Sequence, residues 1–221
     1  MSTPRRKSNP LWVAGAILLL LWIIPFGGLV LLPLQYLNTH IHELSHAVAA
    51  LASGGQGMNI SVFPDGSGVT QFQGGWTILV APAGYVGATI VGASLILAGR
   101  TAQSARKALY ALAVVLALGL LLWVRNALGF GTGIVYFAGV LLLAKNLSDD
   151  HVRIASQFLG LHQCVASAQA LLVLLNINTF GHQQNDAAIL AQATGVPAIV
   201  WAGSWALVSA AVVVTALRRA A

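Results

Sequence analysis

Acidic side chains are almost missing from this sequence. Among 221 residues there is one glutamate, Glu43, and four aspartates, Asp65, Asp149, Asp150 and Asp186. There is also one cysteine, Cys164, which excludes an intrachain disulfide and any cysteine-based metal site. Charged residues of both signs make up only 7% of the chain, whereas 57% is hydrophobic and the mean hydropathy is +0.81. A chain so poor in charge reads as a polytopic membrane protein, not as a soluble domain with a large core. Its apolar runs carry almost no ionisable groups, which argues against a transporter's ion path. The net charge of +6 comes from Lys and Arg standing singly or in short clusters between apolar runs. There they set topology, and no basic patch interleaved with aromatics marks nucleic acid as a partner.

The apolar runs divide the chain. Residues 11–32 form a first span, retained rather than cleaved, with Pro25 and Gly27-Gly28 as a kink and Pro33 as punctuation. Residues 34–53 form a helix closed by Gly54-Gly55. Residues 76–98, 108–124, 127–144, 154–175 and 196–217 are five further spans, giving six long spans plus the 34–53 helix. A polar loop over 176–195 carries a short helix around 186–194. Apolar and polar residues alternate at 59–63 and 69–73, on either side of Pro64-Asp65-Gly66-Ser67-Gly68, which predicts a β-hairpin. The expected fold is an all-α polytopic membrane protein with one short hairpin, organised as a single membrane-embedded domain over 1–221.

The one glutamate falls between two of the six histidines. His42-Glu43-Leu44-Ser45-His46 reads H-E-x-x-H within an apolar helix. On a helix, His42 and His46 lie one turn apart and about 40° apart around the axis. Two imidazoles so placed can share one Zn²⁺ with a third ligand and leave a position open. Glu43 stands beside them, where a general base is required. His40 points to a different face, His151 and His182 are polar-junction and loop residues, and His162 reads as an interhelical hydrogen-bonding residue.

The motif, the following Gly54-Gly55 and the run Ala83-Gly84-Tyr85-Val86-Gly87 resemble the site-2 protease-like intramembrane metallopeptidases, in their smaller bacterial and plant branch. So do Asn185-Asp186-Ala187, Ala193-Thr194-Gly195-Val196-Pro197 and Trp201. The resemblance implies zinc, with His42 and His46 as ligands and Glu43 as catalytic base. It also implies a substrate protein cut within or beside the bilayer, and it fits a multi-pass protein of a bacterial cell membrane. The Leu-Asp-Gly sequence that supplies the third ligand in better-known members is missing.

The third ligand must then come from the few aspartates. Asp149 is the preferred candidate, with Asp150 and Asp186 as alternatives. Its polar junction, which includes Asn146 as a donor for substrate, offers access to a buried site. The choice is tied to topology. If Arg100–Lys107, Lys145–Arg153 and Arg218-Arg219 face the cytoplasm, the hairpin lies on the outer side. A motif helix entering from the cytoplasmic face meets Asp149, and the N-terminal tail is then outside. A tail on the inside brings the motif to the outer face, on the side of Asp186.

These readings combine into a zinc metallopeptidase that hydrolyses peptide bonds of membrane-associated proteins. Such a substrate must unwind to expose a carbonyl, and the hairpin edge can hold it by strand addition. The alternative is a non-catalytic protein that binds metal or another membrane protein's helix.

Overall fold

The computed structural model describes residues 9–180 and 185–221. The helices are α1 (Pro10–Ile23), α2 (Gly27–Ala52), α3 (Thr77–Ala98), α4 (Ala102–Leu122), α5 (Ala127–Asn146), α6 (Asp149–Phe180), α7 (Asp186–Thr194) and α8 (Ala198–Ala220). Strands β1 (Gln56–Val62) and β2 (Gly68–Gln73) fill the α2–α3 connection. Among the described residues five helices, α3, α4, α5, α6 and α8, are long and apolar enough to cross a membrane. The protein is an all-α integral membrane protein with one small sheet.

Two expectations at the N-terminal end are corrected. Residues 11–32 do not form one span. The pyrrolidine ring of Pro25 disfavours helix in the residue before it, and Ile24 is extended with ψ 144°. Phe26 then adopts a left-handed φ of 64° and the chain folds back so tightly that a Cβ at Gly27 would collide with the Leu21 carbonyl. Nor does Pro33 punctuate. It lies inside α2, which runs unbroken from Gly27 through the whole motif.

Small residues let the spans approach. Where α3 crosses α6, Gly92 and Gly160 face each other's carbonyls, and a Cβ on either would come within 2.8 Å of the opposing oxygen. Beside them the Ser156 hydroxyl donates to the Leu95 carbonyl at 2.8 Å. The main core gathers Leu37, Ile41 and Leu44 of α2 with Leu109, Leu112 and Leu116 of α4. A second cluster joins α3, α6, α7 and α8 around Tyr85, Leu174, Leu190 and Trp205.

The hairpin pairs antiparallel, Ile60 opposite Thr70 and Val62 opposite Gly68. Ile60 and Val62 are fully buried. The other edge of β1 is closed by the α4–α5 turn. Ile60 N–H donates to Trp123 O at 2.8 Å, Arg125 N–H donates to Ile60 O at 2.9 Å, and the Asn126 amide brackets Val62. The sheet order is β1–β2, so among the described residues β2 keeps its outer edge open. At the turn, the hydroxyl and N–H of Ser67 donate to Asp65 Oδ1 at 2.7 and 2.9 Å, which holds that exposed carboxyl below its ordinary range.

The two ends of the bundle differ in charge. Arg106 binds the Ala144 and Leu147 carbonyls and Asp149, and Arg153 reaches Gly99 O and Asp150. These contacts tie the α3–α4 and α5–α6 connections into one end. Leu11, Ile96 and Ala220 cluster there, and Asn9 Nδ2 donates to Ala221 O, so α1 begins where α8 finishes. The hairpin, the α4–α5 turn and α7 form the opposite end.

Candidate metal centre

The polar face of α2 is read out by its neighbours in chain order. Tyr36 Oη donates to the Pro64 carbonyl at 2.7 Å, and Thr39 Oγ1 donates to Gly66 O at 2.6 Å. Thr70 Oγ1 donates to Glu43 Oε2 at 2.7 Å. Positions 36, 39 and 43 recur at helical spacing, so these bonds lay the hairpin along one side of α2. Gly68 is required by this contact. A Cβ there would come within 2.7 Å of Glu43 Cγ, Glu43 Oε1 and Thr39 Cγ2.

On the adjacent side of α2, His42 and His46 meet α3 and α7. Their Nε2 atoms are 3.0 Å apart. Asp186 Oδ2 lies 3.4 Å from Nε2 of His46 and 3.8 Å from Nε2 of His42. His46 Nδ1–H donates to the Val80 carbonyl at 2.7 Å, which fixes the ring's orientation and directs Nε2 at the cluster. Asn185 caps α7 by accepting from Ala188 N–H at 2.9 Å, and this sets Asp186 at the first position of the helix. Burial alone would push the Asp186 carboxyl up, but the imidazoles of His42 and His46 outweigh it and hold the group well below the usual carboxylate range. Tyr85 packs its ring edge-on to His42, with centroids 4.6 Å apart, and stacks on Trp205 of α8.

Two imidazole nitrogens and a carboxylate oxygen facing one another at these distances demand positive charge between them, from protons or from a metal ion. The donor set is that of a divalent transition metal, and its three ligand atoms all lie within 4.8 Å of one another. Gly84 of α3 leaves the space in front of them clear, because a Cβ there would land on Nε2 of both histidines. Glu43, Asn38, Thr70 and Asp186 all line one cleft of about 850 Å³.

The Peptidase M50B-like family model matches residues 11–216, nearly the whole chain. The chain belongs to the Peptidase M50B-like family. This is the site-2 protease family, and the protein is accordingly a membrane peptidase of that type. No curated protein and no solved structure matches it.

The M50B-like peptidase gathers His42, Glu43, His46 and Asp186, and it corrects the preference for Asp149. Asp149 sits at the opposite end, where Arg106 holds its carboxylate at 3.0 Å. Asp150 stands beside it, 3.9 Å from Arg153. Asn146, the expected substrate donor, is exposed at that same end and lines no part of the cleft. The end holding Asn9 and the choice of carboxylate agree with the second topology considered from the sequence, which pairs the motif with Asp186. His40 points away as expected, bonded to Thr132 Oγ1 at 2.9 Å. His151 is exposed and bonded to Ser148, His162 is buried in α6, and His182 lies outside the described residues. Sequence reasoning missed Asn38, Thr70 and Tyr85. A signal existed for Asn38, which precedes His42 by one helical turn. None existed for Thr70, whose approach to Glu43 depends on where the hairpin lands.

Proposed function

We propose that this M50B-like protein is a zinc-dependent intramembrane endopeptidase that hydrolyses peptide bonds of membrane-associated proteins. The observation that carries the reading is the convergence of His42, His46 and Asp186 beside the chain's one glutamate. The fit of the donor set supports zinc, with Nε2 of His42, Nε2 of His46 and the Asp186 carboxylate as the residues that would hold it. When bound, zinc supplies Lewis acidity, which polarises a peptide carbonyl and makes hydroxide available near neutral pH.

The remaining steps belong to the chain's own residues. Glu43 accepts a proton on its carboxylate and later returns it to the leaving amide nitrogen. Thr70 holds Oε2, so the carboxylate has one set orientation. Gly68 keeps the surroundings of Oε1 free of side chain. A transmembrane substrate hides its carbonyls in its own helix, so it must unwind before it is cut. The open edge of β2 offers main-chain partners to the unwound segment. The lipid bilayer and a membrane-protein substrate are therefore the partners of this reading.

The test is Glu43→Gln. It preserves shape and removes the base, so zinc content should stay at the wild-type level while cleavage of co-expressed membrane-protein substrates falls by about 10²–10⁴-fold. Cleavage at the wild-type rate would sink the proposal.

A further inference from the structure

We infer that Asn38 is a substrate-binding residue whose side-chain N–H groups hold a backbone carbonyl of an extended peptide in the cleft; the inference rests on the peptidase reading above. Asn38 is half-buried in the cleft wall, one turn of α2 before His42. Its Oδ1 is already engaged. Gln163 Nε2 donates to it at 2.5 Å, and Ser167 Oγ donates at 3.4 Å. Gln163 and Ser167 are 1% and 2% exposed, in the middle of α6. Fully buried polar groups within a span are costly and are kept where they do something. Here both point at one oxygen of one side chain on the wall of the site.

That arrangement fixes the amide. With its oxygen held by two donors, Asn38 presents only N–H groups to the cleft, and among the described residues these have no protein partner. The group they would recognise is a carbonyl oxygen, which a helical substrate lacks in free form and an unwound one displays. One helical turn rises about 5.4 Å, and an extended peptide rises about 3.4 Å per residue. Asn38 therefore meets a carbonyl one or two residues from the bond being cut. It is a binding contact to main chain, indifferent to substrate side chains.

A merely structural alternative makes Asn38 an α2–α6 clamp, and Asn38→Asp separates the two. Aspartate keeps the oxygen that Gln163 and Ser167 hold but loses the N–H donors. The probes are two hydroxamates bound to zinc-loaded, detergent-solubilised protein. Acetohydroxamate reaches only the metal, whereas a leucyl-phenylalanyl-alanine hydroxamate also lays a backbone along the cleft. The expected result is a rise of roughly 5- to 10-fold in Kd for the peptidyl compound, with acetohydroxamate unchanged. Asn38→Ala, read by the same ratio, serves should the buried carboxylate prevent folding. Unchanged binding of both compounds by Asn38→Asp overturns the inference, as does equal weakening of both, which would mark a distorted metal site. If wild-type protein binds neither compound, the zinc reading itself fails and carries this one with it.

Discussion

Gly84→Ala is the smallest change that the structure expects to empty the metal centre. One methyl group is added, no ligand is removed, and the helix propensity of α3 improves. The added Cβ would nonetheless fall on Nε2 of both His42 and His46. Relief requires a displacement of roughly an ångström, several times the ~0.2 Å that metal–ligand distances tolerate. His46 cannot rotate away freely, because its Nδ1–H is held by the Val80 carbonyl at 2.7 Å. Overpacking of this kind costs about 1–3 kcal/mol in stability. The loss in metal affinity should be at least the roughly 10- to 100-fold that disturbing a ligand's supporting contacts already produces. The assay is metal content after dialysis against buffered free zinc, with Gly203→Ala as control, since a Cβ at Gly203 meets nothing within 4 Å. Gly84→Ala protein that is folded and retains zinc at wild-type affinity would refute the reasoning.

Other expectations follow from the same geometry. Asp186→Asn should lower zinc affinity at least about 100-fold, whereas Asp149→Asn, remote and paired with Arg106, should leave it unchanged by the same dialysis measurement. Thr70→Val should retain zinc yet reduce kcat about 10- to 100-fold, because a hydrogen bond to a charged group contributes about 1.5–3 kcal/mol. Seven described Lys and Arg residues, Arg100 and Arg219 among them, sit at the end away from the hairpin, with Arg125 alone at the other. The positive-inside rule then puts the cleft on the non-cytoplasmic face. In a Cys164→Ala background, a membrane-impermeant maleimide on intact cells should label Ser67→Cys and spare Ser148→Cys; the reverse pattern would invert the protein.

Much of the fold was legible because hydrophobic length and turn chemistry act locally. Long apolar runs mark α3 to α6 and α8, alternation marks the hairpin, and Asn185 followed by Asp186 marks the start of α7. The break at Ile24–Phe26 was less legible, because a proline in an apolar run can either kink a helix or end it. Pro25 ends one and Pro33 does not. In the site, the H-E-x-x-H spacing carried His42, Glu43 and His46. The third carboxylate was not readable, because Asp149, Asp150 and Asp186 all stand in the first turn of a helix. Such positions suit acids for local reasons. What separates them is tertiary: Arg106 arrives from α4 to claim Asp149, and α7 folds back over α2 to deliver Asp186.

The Val80 carbonyl has a bearing on how this family member can vary. His46 is oriented by a main-chain oxygen, the hairpin is fastened to α2 through the main-chain oxygens of Pro64 and Gly66, and β1 is closed by the backbone of Trp123 and Arg125. Side-chain replacement at 64, 66, 80, 123 or 125 does not delete those atoms. At the exposed Pro64 and Arg125 a saturation scan would therefore find replacement tolerated although the site depends on their backbone, whereas Gly66, at φ 83°, and the buried Val80 are held by backbone conformation and packing as well.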